Sequence, residues 1–242
     1  MRWSLAVCAA ALAVASNSAG QTSERAVVVA SVRGSTDALV GEAVVREAYR
    51  RLGLAVTFRE LPGAAALEAS STGAVDAELQ RIDGIDRRYP DLIQVPIPIN
   101  YLQGAAFSIE YDFPATGWRS LQSYRIGIVS GIIFAAEGTD GMNVTVADDY
   151  DQLFGLLESG RIDVAVTPRI NGLEAIRQRE AGPGGSIREM EGVLETLFLY
   201  HYVHRTRQDL VPDLSRVLKQ LLLDGTTRRL RTELYGELLP GP

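Results

Sequence analysis

The residues able to do chemistry in this chain are a few arginines, one well-placed glutamate, small hydroxyls beside glycines, and tyrosines in extended segments. Arg81 ends the run "STGAVDAELQR" (71–81), with Glu78 three residues before it. A guanidinium there can grip a carboxylate through two parallel hydrogen bonds, or it can pair with Glu78 or Asp83. If the chain were an enzyme, Glu78 is the carboxyl best placed to act as acid or base. Arg169 ends the matching run "ESGRIDVAVTPR" (158–169), just after Thr167. It can hold an anion or simply be solvated. Arg87 stands between Asp86 and Arg88, in what reads as an exposed loop. Ser35 and Thr36 in one half, and Ser130 and Gly131 in the other, fall where a strand hands over to a helix. Free backbone N–H groups and the helix dipole suit such places to anions, although simple capping satisfies the same donors. Tyr101 and Tyr200 can wall a ligand or merely pack.

Other chemistries are excluded by what is missing. Lys219 is the single lysine and no Gly-rich phosphate loop precedes it, so phosphate-loop and Schiff-base mechanisms have no residue to use. His201 and His204 are the only histidines, and in an extended run they face opposite ways without a carboxylate cluster. No metal or cofactor is expected. The net charge of -6 disfavours nucleic acid as a partner. A small-molecule solute and a monomeric chain are expected.

The elements that must position these residues come in two similar sets. "RAVVVASVRG" reads as a strand, "STDALVGEAVVREAYRRLG" as a helix capped by Ser35 or Thr36, "LAVTFREL" as a strand, "GAAALEASSTG" as a helix and "AVDAEL" as a strand. From Tyr124 the same order returns: "YRIGIVSG", "IIFAAEG", "NVTVA", "DDYDQLFGLLESG" and "RIDVAVT". Such alternation predicts parallel strands with helices on both faces, and ligands then bind at the carboxyl edge. The paired Gly-x-x-Asp turns, Gly73 to Asp76 and Gly160 to Asp163, fall at the same place in each set. Both aspartates read as turn formers. Residues 96–111 and 195–205 are extended and aromatic enough to cross between two lobes. Two crossings return the C-terminal helices, with Leu210, Leu214, Leu218 and Leu221 at helical spacing, to the first lobe. The alternative is one continuous doubly wound sheet.

Residues 1–20 read as a secretory signal: Arg2, an apolar run too short to span a bilayer, then "SNSAG". The expected organisation is therefore signal 1–20, first lobe 24–104, second lobe 105–195, and a return crossing with terminal helices over 196–242.

The order of the two Gly-x-x-Asp turns, "YPDLIQVPIPI", "YRIGIVSG", "GRIDVAV" and "DLVPDLSRVLKQLLLDGTTRRL" resembles periplasmic solute-binding proteins of the polar-amino-acid type, extracellular family 3. The resemblance implies a two-lobed α/β fold of type II. Such a fold closes over a small solute in the periplasm and presents it to an inner-membrane transporter permease. Relatives of these binders include exported dehydratase-type enzymes, and a sensing module that docks onto a membrane receptor when occupied is a third alternative. The family's Thr-x-x-Arg, whose Arg holds a ligand carboxylate, is here Gly84-Ile85-Asp86-Arg87, with only Arg87 matching. The acid that receives the ligand's ammonium is missing where the strand ends Thr167-Pro168-Arg169. A small polar or anionic solute is the ligand class this implies.

Overall fold

Six short runs become the parallel strands of two half-sheets, and two longer runs become the ribbon that joins them. The computed structural model describes residues 26–179 and 186–236, so the expected signal segment lies outside the described residues. In chain order the elements are β1 (Val27–Val32), α1 (Ala38–Arg51), β2 (Val56–Leu61), α2 (Gly63–Ser71), β3 (Ala77–Ile82) and β4 (Leu92–Ser108). Then come β5 (Ile126–Val129), α3 (Ile133–Gly138), β6 (Val144–Ala147), α4 (Tyr150–Glu158), β7 (Val164–Pro168) and α5 (Arg169–Arg179). The two-residue β8 (Arg188–Glu189), β9 (Glu195–His204), α6 (Val211–Leu223) and α7 (Thr226–Tyr235) complete the described chain.

The strand order is β2-β1-β3-β9-β4-β7-β5-β6. β1 pairs in parallel with β2 and β3, and β5 with β6 and β7, as strand–helix alternation requires. β4 and β9 run antiparallel from Leu92 opposite His204 to Gly104 opposite Glu195. β3 joins that ribbon only at 199–203 of β9, whereas β7 joins it only at 104–107 of β4. The path is thus hydrogen-bonded throughout, yet the two half-sheets share only the ribbon, and the fold is two-lobed rather than one doubly wound sheet. The ribbon's register shifts on either side of Pro98, where a missing N–H interrupts the ladder.

Each half has its own core. In the first, α1 buries Val40, Val44 and Val45 against Val27 and Val29 of β1, and α6 adds Leu214, Val217, Leu218 and Leu221. In the second, Ile126 and Ile128 of β5 face one cluster, while Leu153, Phe154 and Leu157 of α4 fill another on the far side of the sheet. The repeated Gly-x-x-Asp turns do the same work twice. Gly73 (φ 76°) and Gly160 (φ 65°) take left-handed backbone that glycine tolerates best. The Asp76 carboxylate then accepts from Val28 N–H at 2.8 Å, and Asp163 from Arg125 N–H at 2.8 Å. Each aspartate ties the third strand of its half to the beginning of the first. No helix among the described residues is long and apolar enough to cross a membrane.

Candidate functional site

The carboxyl ends of β1, β3, β5 and β7 meet between the lobes, and the side chains there bond mainly to one another. The sequence leaves Arg81 between a ligand carboxylate and a pairing with Glu78 or Asp83; in the structure it pairs with Glu78. Its Nε donates to Glu78 Oε1 at 2.7 Å, Nη1 to the Gly131 carbonyl at 2.8 Å and Nη2 to the Gly63 carbonyl at 3.1 Å. Residues three apart on a regular strand face opposite ways. Here a register shift against β9 lies between Glu78 and Arg81, and it lets them meet. Both side chains are buried, and Ser70 donates to the other Glu78 oxygen at 2.7 Å. Burial pushes the Glu78 carboxyl above its ordinary range, with Arg81 and Ser70 pulling the other way. Arg81 thereby links β3 to α2 in the first lobe and to Gly131 in the second. The seam is tight: a Cβ on Gly131, which has φ 77°, would come within 2.3 Å of Ala64 N.

A second cross-lobe knot surrounds Asp37. Ser35 and Thr36 do not cap α1, because the helix begins at Ala38 and Asp37 is its N-cap residue. Asp37 is buried, and its N–H donates to Asn171 Oδ1 of α5 at 2.8 Å. Asp37 Oδ1 accepts from Asn171 Nδ2 at 3.0 Å and from the Ser35 hydroxyl. Asp37 Oδ2 accepts from Gln80 Nε2 at 2.9 Å. All these donors are neutral. Beside them, the buried Tyr150 hydroxyl and Thr167 Oγ1 have no hydrogen-bond partner. The Tyr150 hydroxyl lies near Ser35, Asn171 and Thr167, and burial, then the Asp37 charge, push its phenol up. A cavity of ≈ 50 Å³ opens here, lined by Ser35, Asp37, Gln80, Arg81 and Tyr150 together with apolar side chains such as Phe134.

The remaining expected site residues are placed elsewhere or otherwise engaged. Thr36 is half-buried in the loop before α1, with its carbonyl accepting from Leu39 N–H at 3.2 Å. Ser130 N–H donates to the Ala147 carbonyl at 2.8 Å, and α3 starts only at Ile133 with six residues. The matched pair of helix-start anion sites is therefore not built. Arg169 forks onto Glu189 at 2.6 and 3.2 Å. Arg87 is exposed on a one-turn helix. Tyr101 lies on the outer face of the ribbon, with the Arg231 guanidinium 3.6 Å from its ring centroid. Tyr200 packs beside Leu67, Ile85, Leu92 and Tyr202. Asp37, Asn171, Gln80 and Tyr150 were not singled out as site residues from the sequence. The helix that carries Asn171 has one legible signal, Pro168 immediately before its first residue.

No protein-family model matches the chain. An uncharacterised protein of Shewanella oneidensis is 23% identical over 198 residues, covering 79% of this chain and 74% of that one. Among solved structures, a histidine kinase sensor domain with similarity to periplasmic binding proteins superposes with a TM-score of 0.73 at 19% identity, covering 88% of this chain and 96% of that one. An arginine transport-system periplasmic binding protein from Legionella pneumophila gives 0.71 at 14% identity, over 86% and 99% of the two chains. An ancestral arginine-binding protein bound to glutamine gives 0.70 at 15%, over 87% and 98%. Identities this low speak to architecture, and on architecture they agree with the two half-sheets and the ribbon described above: the chain has the two-lobed α/β fold of periplasmic binding proteins.

Proposed function

We propose that the chain is a solute-binding module of the periplasm, exported by the segment 1–20, whose lobes close over a small polar solute and present it to an inner-membrane transporter permease. The lobes correspond to 24–104 and 105–195, with 196–242 returning to the first, and the module works as a monomer. The observation that carries this reading is the composition of the seam. The buried polar groups of the seam meet through hydrogen bonds, Asp37 to Asn171 and Arg81 to Gly131, and the apolar contact between lobes is limited to a few side chains such as Ile82, Ile133 and Ile170. Polar contacts of this kind exchange with water at small net free energy, so they suit reversible opening. Catalysis finds little support, because Glu78, the best available acid or base, is tied to Arg81 and Ser70.

A screen of amino acids, amines, organic acids and sugars by thermal shift, followed by small-angle scattering with any hit, tests the reading. A bound solute shifts the population toward the closed arrangement, lowers the radius of gyration and is recovered unchanged. A radius of gyration indifferent to every compound, or a solute recovered as product, would sink it.

The likeness to a kinase sensor domain favours a second reading, in which the occupied module docks onto a membrane receptor. Capture from membranes separates the two: a permease supports transport and a receptor supports sensing.

A further inference from the structure

We propose that the cavity between the lobes takes the head of a small organic cation, an ammonium on a short apolar tail without a carboxylate. Asp37 is its counter-ion, and the Tyr150 hydroxyl oxygen is a hydrogen-bond acceptor for it. The inference rests on reading the space between the lobes as the binding site, and it assigns the ligand class.

Charge is the first argument. Glu78 and Arg81 neutralise each other, and two further Arg81 nitrogens are held by carbonyls. That leaves the guanidinium no vacant fork for a carboxylate. Asp37 is 8% exposed and is met by Ser35, Gln80 and Asn171, all neutral, with no ion pair among the described residues. A buried carboxylate lacking a cation is costly, and a bound cation relieves it, whereas an anion would be repelled.

The second argument is an unpartnered oxygen. Tyr150 is 9% exposed and lines the cavity beside Asp37, and its hydroxyl has no hydrogen-bond partner of good geometry. An ammonium has three donors and no acceptor, which is the complement of a carboxylate and a hydroxyl oxygen.

The approach to the cavity is the third. Val32, Ser35 and Ala38 line it and also line an open groove of ≈ 550 Å³. That groove carries Glu42, Glu60, Glu174 and Glu233 against one arginine, Arg177. Glu174 and Glu233 have arginine partners, while Glu42 and Glu60 have no ion pair among the described residues. A cleft lined by one sign of charge raises the local concentration of the opposite one.

Size and lining set the tail. A water needs roughly 10–15 Å³ of such space, so the ≈ 50 Å³ cavity takes about three or four heavy atoms, and Ile132, Ile133, Phe134 and Leu199 make its walls apolar. A metal ion fits less well, since no group of three His, Cys, Asp or Glu side chains suited to one occurs among the described residues.

The test is a titration of the full chain with ethylammonium chloride, followed by NMR at the Asn171 and Gln80 side-chain amides. Ethanol, propionate, alanine and sodium chloride at matched ionic strength are the comparisons. Three heavy atoms limit the dissociation constant to roughly millimolar. Ethylammonium should saturate in that range, with every comparison compound at least tenfold weaker. Asp37→Asn should lose at least tenfold. Because Asp37 also anchors the seam, Tyr150→Phe serves as the second variant, removing only an unpartnered hydroxyl; it should fold as wild type and weaken ethylammonium several-fold. Binding by sodium, ethanol, propionate or alanine as tight as by ethylammonium overturns the cation while leaving the cleft a binding site. So does full affinity retained in both variants. If no solute in this set or in the wider screen moves those amides, the binding-site reading falls with it.

Discussion

Replacing Arg81 with alanine distinguishes the arrangement seen here from the ligand-gripping role that the sequence suggests. An arginine waiting for a solute would be exposed, and its loss would weaken binding while leaving folding nearly unchanged. The structure demands the opposite. Arg81 and Glu78 are 6% and 1% exposed and 2.7 Å apart, so Arg81→Ala leaves a buried carboxylate with only Ser70 beside it. Breaking a buried pair from one side costs about 3–5 kcal/mol. For a chain of this size that lowers the melting temperature by roughly 10 °C. The pH dependence has a definite sign. Burial already raises the Glu78 carboxyl, and losing the opposing pull of Arg81 raises it further. A group whose folded pKa lies above its unfolded one stabilises below the unfolded value and loses that contribution as pH rises through the folded value. The deficit of Arg81→Ala is therefore larger at pH 8 than at pH 5. Removing both charges, in Arg81→Met with Glu78→Gln, recovers most of it. Urea unfolding followed by circular dichroism at the two pH values reads wild type and both variants. Wild-type stability in Arg81→Ala at pH 8, together with lost solute binding, would refute the internal pairing.

Three further outcomes follow from the frame around the site. His201 is buried, with Nδ1 3.0 Å from the Leu79 carbonyl and Nε2 3.1 Å from the Tyr49 hydroxyl, and burial lowers its pKa to about 4. Its contribution is present above the ordinary value near 6.5 and is lost as pH falls toward about 4, about 3 kcal/mol in all, so the stability advantage of wild type over His201→Gln should shrink across that window; a constant difference refutes the buried neutral imidazole. Gly131→Ala places a Cβ 2.3 Å from Ala64 N at a positive φ, so the lobes should part and the radius of gyration rise; scattering identical to wild type would deny the seam. Asp163→Ala removes the carboxylate that accepts from Arg125 N–H and pairs with its guanidinium, and should lower the unfolding free energy by about 1–2 kcal/mol; no change would show that the turn holds without it.

Much of the frame was legible because it depends on local chemistry repeated along the chain. The strand–helix alternation, the glycine stops and the leucine stripe of α6 each follow from spacing within a dozen residues. The Gly-x-x-Asp pairs were legible as turns, although their partners, Val28 and Arg125, belong to neighbouring strands and only the fold supplies them. Glu78 stood among the possible partners of Arg81, but the register shift that brings them to one face arises from pairing with β9, more than a hundred residues on. Asp37 and Asn171 were out of reach, being 134 residues apart and on different lobes. Asp37 also looked like a routine first-turn acid, and the helix carrying Asn171 had no strong periodic signal.

These hidden residues share a property that bears on function. The two halves repeat what holds each sheet together, down to one aspartate clamping the first strand from the third. They differ in what they offer the gap between them. The first half brings Asp37, Glu78, Gln80 and Arg81, while the second brings a glycine carbonyl, a phenol, a threonine hydroxyl and an amide. In the buried part of the seam every formal charge thus comes from one lobe, and neutral donors and acceptors come from the other; the second lobe's Glu137, Glu174 and Arg177 lie at the more open rim. Closing the buried seam needs no ion pair, so opening separates only the exposed Arg88–Glu137 pair, 3.6 Å apart and worth little in solvent, and is otherwise governed by hydrogen bonds that water can replace at small net free energy. Charge recognition inside the cavity then lies within the first lobe. A solute can be selected there before the second lobe closes, and substitutions at Asn171 should alter closure while leaving the charge preference of the site intact. Titrating Asn171→Ala with cationic and anionic solutes checks this: a weaker affinity with an unchanged order is expected, and a reversed order would show that the second lobe takes part in reading charge.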